Sequence, residues 1–184
     1  MRIIYIIIKT LTLPGAMLHA FFEHMCCRNA KIMIEDERTI RFDEMMSHVE
    51  HDLVKRKAAS FDICFIPFFL NFVLGNLILM YGSMSILYFA RYADIFGWIC
   101  LYLGVALLTN LFPQVEDVMM LSENFFANNE KKASKIFVAP FYGIFWLFSR
   151  VEKFGLTLFT SVAYAFLMPY VLGLFVPAIY NALK

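Results

Sequence analysis

Four long apolar stretches constrain the fold of this chain more than any other feature of its sequence. They cover residues 3–27, 63–90, 95–113 and 136–183. A helix that crosses the hydrocarbon core of a bilayer needs about 20 mostly apolar residues, and each stretch reaches about that length. The last is long enough for two passes, with a break at residues 150–153. The sequence therefore predicts a mainly α-helical membrane protein with about five transmembrane helices, in a range of four to six.

Composition and charge exclude two broad classes of protein. With 61% hydrophobic, 17% aromatic and only 17% charged residues, the chain is too apolar for a soluble domain of 184 residues. Its net charge is +1 and its cations are interleaved with acids. Because phosphate recognition needs a concentrated basic surface, we expect no nucleic-acid partner. The expected partners are the lipid bilayer and other membrane proteins.

The first apolar stretch resembles a signal peptide only at its start. Arg2 and the run Ile3 to Ile8 imitate such a segment, but no small-residue cleavage site follows. Pro14 and Gly15 interrupt the run, which then resumes. This pattern predicts a retained membrane helix that is broken or kinked.

The distribution of cations predicts the orientation of the chain. With five passes, the side opposite residues 28–60 holds only five of the 16 Lys and Arg residues, namely Arg2, Lys9, Arg91, Arg150 and Lys153. Lys and Arg accumulate on the cytoplasmic side of membrane proteins. We therefore expect a multi-pass integral membrane protein with segment 28–60 in the cytoplasm and the N-terminus outside.

The polar segment after the first apolar stretch has two parts. Residues 31–42 are typical of a short β-hairpin, because isoleucines alternate with polar neighbours on both sides of an acidic turn. Residues 42–59 are charged and helix-permissive, which favours an interfacial helix, although a solvated connector is an equal interpretation for 44–58. We divide the chain into a membrane core, residues 1–120, and a C-terminal pair of membrane helices, residues 121–184.

Few ionisable residues lie in the predicted membrane segments. They are His19, Glu23 and His24 on the first helix, and Glu116 and Asp117 at the end of the third. Residues four apart on a helix are separated by about 40°, so His19 and Glu23 share a face, whereas His24 points about 140° away from His19. Buried ionisable groups are costly in a bilayer and are therefore candidates for function.

Two short motifs carry a family resemblance. The stretches Leu-Pro-Gly-Ala-Met-Leu-His-Ala-Phe-Phe-Glu at 13–23 and Asn-Leu-Phe-Pro-Gln-Val-Glu-Asp at 110–117 resemble small membrane zinc metalloproteases related to the site-2 proteases. In that family a Pro-Gly precedes the zinc-binding His-Glu-x-x-His helix, a β-hairpin follows, and a later Pro-containing motif supplies an Asp ligand. The resemblance covers roughly residues 1–120.

The resemblance implies a degenerate site. His19 matches the first zinc ligand, Ala20 replaces the general base, Glu23 replaces the second His and Asp117 matches the third ligand. Since Ala20 cannot accept a proton, no catalytic residue is assigned and hydrolysis by the family route is not expected. His, Glu and Asp remain competent zinc ligands, and the set also suits manganese or iron.

Several interpretations of these residues stay open. In one interpretation there is no cofactor, and His19, Glu23 and Asp117 satisfy one another as a polar cluster. In the other, they bind a single divalent ion, for which zinc is the first candidate. In a shifted alignment His24 is the second ligand and Glu23 the base, which requires a π-bulge. Both the polar cluster and the metal site require Asp117 to lie within hydrogen-bond or shared-metal distance of His19 and Glu23.

The leading functional hypothesis is a non-catalytic, protease-like protein that binds membrane partners or serves as a subunit of a membrane assembly. The alternative is a metal-binding or active intramembrane metalloprotease with a modified His, Glu and Asp site, whose base would come from Glu116 or His24. A small transporter or channel that uses the polar cluster as an ion site is a third class.

Overall fold

The protein is described by a computed structural model that covers residues 2–36, 48–126, 132–152 and 154–182, with side chains described except at residues 2, 132–134 and 175–182. The helices are α1 (Arg2–Leu11), α2 (Leu13–Ala30), α3 (Lys57–Ser83), α4 (Ile95–Thr109), α5 (Val115–Phe126), α6 (Lys132–Glu152) and α7 (Leu156–Ala182). A π-helical turn, Met84–Tyr88, continues α3. The strands are β1 (Ile34–Asp36) and β2 (Glu50–His51).

The first apolar stretch is a broken helix, as its sequence predicts. Helices α1 and α2 meet at Thr12 with a bend of 92°. Pro14 lies in the first turn of α2, where its missing N–H leaves no hydrogen bond unmade. Gly15 packs directly on α4, and an added Cβ would overlap the backbone carbonyl of Ala106. The bend and this close approach fix α2 against α4.

Helix α3 is 27 residues long and packs along α4 and α2. The apolar core lies between α3, α4, α5 and α6, with Leu79, Leu121 and Phe145 fully buried. Arg150 and Glu152 end α6 near the predicted break, and α7 begins at Leu156. The C-terminal stretch therefore forms two helices, as predicted.

The structure is mainly helical, which confirms the predicted class, but fewer helices than expected meet the length and polarity of a membrane span. Among the described residues, Lys57–Tyr88 and Leu156–Leu174 do so, and the bent pair α1–α2 would make a third. Helix α4 is apolar but only 15 residues long. The count of two or three lies below the predicted five because α4 is short, α1 and α2 are bent at Thr12, and α6, although 21 residues long, does not meet the criterion of a span.

A small antiparallel sheet follows α2, but its second strand differs from the one expected. Strand β1 falls in the predicted hairpin 31–42 and pairs with β2, with Ile34 opposite His51. The expected return strand near residue 42 lies outside the described residues. Residues 48–56 contain β2 and are not helical, so an interfacial helix does not include them. Strand pairing instead brings residues 48–51 back to α2.

Candidate metal site

Helix α2 supplies two side chains of a buried polar cluster. His19 and Glu23 lie on one face, one turn apart, and each is only 1% exposed. Ala16, Ala20 and Cys27 complete that face and are also buried. This face of α2 therefore packs against other parts of the protein.

His48 joins His19 and Glu23 in the first of two overlapping groups. One potential ligand atom from each residue lies within 4.8 Å of the others. Nδ1 of His48 lies 3.3 Å from Oε2 of Glu23, and the rings of His19 and His48 meet edge to face with centroids 5.1 Å apart. The backbone N–H of Val49 donates to Oε1 of Glu23 at 3.2 Å. The segment before β2 therefore covers the Glu23 carboxylate.

Backbone contacts orient the ring of His19. Its Nδ1 lies 2.9 Å from the carbonyl oxygen of Asn110, at the end of α4. The side-chain amide of Asn71 donates to the same carbonyl at 2.9 Å. Since a carbonyl only accepts, Nδ1 carries the proton and Nε2 keeps the lone pair. Within the described part of the chain, Nε2 of His19 is buried without a hydrogen-bond partner.

The second group shares Glu23 and adds His51 and Asp117. The three potential ligand atoms again lie within 4.8 Å of one another. Nε2 of His51 lies 3.2 Å from Oδ1 of Asp117, and its Nδ1 donates to the carbonyl of Asp52 at 2.9 Å. Asp117 is buried in the first turn of α5. Two carboxylates thus meet beside two imidazoles.

The two histidines outside the helices differ in charge near neutral pH. Burial, helped by the positive charge of Lys9, lowers the pKa of His48 to about 4, so its ring is neutral. Burial also lowers the pKa of His51, but the hydrogen bond and the charge of Asp117 outweigh it and raise that pKa to about 9. In the metal-free protein His51 is therefore a cation paired with Asp117.

A second buried network borders the cluster. Nζ of Lys9 donates to Oδ1 of Asn110 at 2.8 Å and forms an ion pair with Glu152. The amide of Asn110 donates to Oγ1 of Thr12 at 2.9 Å. Asn110 thus connects the start of the chain and the end of α6 to the carbonyl that orients His19.

The structure brings some predicted site residues together and separates others. His19 lies beside Glu23, and Glu23 beside Asp117. His24 is only half-buried and Glu116 is exposed, and neither belongs to a group of potential metal ligands among the described residues.

Sequence analysis missed His48 and His51, because it considered only ionisable residues inside apolar stretches. Their spacing of three residues in a polar segment was the available signal. Two imidazoles and a carboxylate form a donor set that zinc accepts in catalytic sites, and the free Nε2 of His19 fits such an ion.

Comparisons of the chain with family models, with curated proteins and with solved structures give no match. The resemblance to the site-2 proteases therefore stays a prediction that rests on two short motifs. The metal site, in contrast, rests on the positions of the side chains themselves.

Proposed function

We propose that this is a multi-pass membrane protein that holds one divalent metal ion between His19, Glu23 and His48. Zinc is the first candidate for this ion. His51 and Asp117 border that ion on the far side of Glu23. The site would anchor α2 to the β2 segment, with α5 alongside.

The buried Nε2 of His19 is the single observation that carries this proposal. A buried nitrogen lone pair without a partner costs free energy of about 1–3 kcal/mol, so such atoms are rare unless a ligand satisfies them. Metal-binding histidines typically donate their other ring N–H to a backbone carbonyl, which is what His19 does with Asn110.

The charges of the cluster support a single divalent ion. Glu23 and Asp117 are both buried, and their carboxylate oxygens lie within 4.8 Å. Two buried anions at this distance repel each other strongly unless a cation compensates them. One divalent ion compensates both carboxylates when His51 gives up its proton on metal binding, whereas two ions would leave an excess of positive charge in an apolar environment.

The proposed role is metal binding rather than peptide hydrolysis by the family route. Ala20 occupies the position of the expected base. Its side chain is a methyl group, which cannot accept a proton, and it is fully buried. We therefore retain the hypothesis of a non-catalytic protein that binds membrane partners or belongs to a membrane assembly. The placement of segment 28–60 in the cytoplasm remains part of this proposal.

Metal analysis of the purified protein tests the site. After purification in detergent with zinc, we expect about one equivalent of bound metal per chain. His19→Ala and His48→Ala should each lower zinc affinity by more than about 100-fold, beyond the loss typical of residues outside the coordination sphere. His24→Ala is the matched control and should bind as the parent does. A parent protein without zinc, or equal affinity in all variants, would reject the site.

A second pair of variants separates the metal from a purely polar cluster. Asp117→Asn removes a buried negative charge beside Glu23, so it should weaken zinc binding. Glu123→Gln removes an exposed negative charge on the same helix and should leave zinc binding unchanged. Equal effects of both substitutions would contradict an ion at this position.

A further inference from the structure

A groove with a basic lining lies where the broken first helix and α3 meet the polar segment. Its volume is about 330 Å³, and Ala30–Met33 form one wall and Asp52–Arg56 the other. Lys31, Lys55 and Arg56 contribute three exposed cations. Asp52 is the one acidic residue of the lining, so positive charge prevails.

The walls of the groove are held by backbone contacts. The N–H of Asp52 donates to the carbonyl of Met33 at 3.0 Å, which extends the β1–β2 pairing. The amide of Asn124, on α5, donates to the carbonyl of Val54. Val54 is itself buried against the end of α2. The groove is therefore a formed concavity, supported from three elements.

The connectivity places the groove at the edge of the membrane. Helix α2 ends at Ala30 and α3 begins at Lys57. Helix α3 belongs to a segment that is long and apolar enough to cross a bilayer, and α1 and α2 meet the same criterion when the bent pair is counted as one span. The chain between two successive spans emerges on one face of the membrane. Residues on both sides of the groove immediately adjoin those helix ends, so its cations lie at the level of the lipid headgroups.

Apolar side chains complete the pattern. Met33 and Leu53 are neighbours across the two walls and are 70% and 76% exposed. Exposed apolar side chains next to cations are typical of protein surfaces that rest at the interface between headgroups and acyl chains. The groove thus offers cations for a phosphate and apolar groups for the glycerol and first methylenes below it.

We propose that this groove binds the headgroup of an anionic phospholipid, with its phosphate between Lys31, Lys55 and Arg56. Arg56 directly precedes the first turn of α3, where the positive end of the helix dipole adds to the attraction for an anion. The proposal rests on the membrane placement proposed above but not on the metal site. Lipids of the cytoplasmic leaflet, which are anionic, fit the predicted orientation.

Native mass spectrometry of the full chain in detergent measures this preference. Dioleoyl phosphatidylglycerol and dioleoyl phosphatidylcholine have the same acyl chains and differ in headgroup charge. We expect the first bound molecule of phosphatidylglycerol to bind at least tenfold more tightly than the first bound molecule of phosphatidylcholine. Each nearby cation increases the affinity for an anionic headgroup by about fivefold. Substituting Lys31, Lys55 and Arg56 together with glutamine should abolish the difference.

Matched variants and a competitor decide the outcome. Arg56→Gln should lower the preference about fivefold, whereas Arg91→Gln, which removes an exposed charge near the opposite end of α3, should retain it. Equal affinities for the two lipids, or a preference that survives the triple substitution, would overturn the proposal. Displacement of the lipid by inorganic phosphate below millimolar concentration would show a phosphate site instead.

Two controls keep the failures distinguishable. Retention of the chain in carbonate-washed membranes tests the membrane placement separately, so a retained protein without headgroup preference counts against the groove alone. Unchanged elution and an unchanged circular dichroism spectrum of the triple variant show that it is folded.

Discussion

Replacing Lys9 with methionine should destabilise the protein strongly, because the carboxylate of Glu152 would stay buried without its cation. The side chains of Lys9 and Glu152 are only 2% and 6% exposed. Breaking a buried ion pair from one side costs about 3–5 kcal/mol, whereas replacing both partners by apolar residues of similar size is often neutral. Lys9 also donates to Asn110, so its loss additionally leaves a buried amide oxygen unsatisfied.

A double-mutant cycle measures this coupling. Lys9→Met and Glu152→Met should each lower the free energy of unfolding by about 3–5 kcal/mol, and the double variant should lose much less than their sum. Unfolding by sodium dodecyl sulfate in dodecylmaltoside micelles, followed by circular dichroism, gives the four values. The expected coupling energy is about 3 kcal/mol or more, which is large for a pairwise interaction.

An exposed cation on α6, the helix that carries Glu152, provides the comparison. The guanidinium of Arg150 lies over the ring of Trp146 at 4.3 Å and is exposed, so Arg150→Met should cost only about 0.5–1 kcal/mol. If Lys9→Met costs no more than that, or if the double variant loses the full sum of the single losses, the buried ion pair does not hold α1 to α6 as argued.

Two further predictions concern packing and orientation. Gly15→Ala should destabilise the fold by about 1–3 kcal/mol, because the added methyl group would overlap a backbone carbonyl of α4. Gly143 has open space around it, so Gly143→Ala should be neutral or slightly stabilising in the same unfolding assay. A cysteine at Leu53 should react with an impermeant maleimide only from the cytoplasmic side, and one at Tyr92 only from the other side. The four natural cysteines are buried and give little background, and the reversed pattern would overturn the orientation.

Local sequence was enough to predict the first break and the shared face of α2. Pro14 lacks an N–H and Gly15 lacks a side chain, so these residues interrupt an apolar helix wherever it is placed. The spacing of His19 and Glu23 follows from the helical repeat alone, and their burial followed from the cost of exposing such groups to lipid.

The number of spanning helices depended on information that apolar composition does not contain. The stretch 95–113 is apolar throughout, yet its helix α4 stops at Thr109. Asn110 leaves the helical conformation there and uses its side chain and carbonyl for Lys9, Thr12 and His19. These partners are about 90–100 residues away in sequence, so the contacts that hold Asn110 at the helix end are not visible in the local pattern, although Asn110 and Pro113 are residues typical of a helix end.

Composition and helical spacing are enough to predict an apolar, helical chain in which His19 and Glu23 share one buried face. The side chains that join them there follow from the packing of segments that are distant in sequence. His48 and His51 reach Glu23 because β2 pairs with β1 and folds back against α2, and Asp117 reaches it because α5 packs beside that segment. Helical periodicity acts over a few residues and is readable in the sequence, whereas a site assembled across about 100 residues depends on how the helices and strands pack.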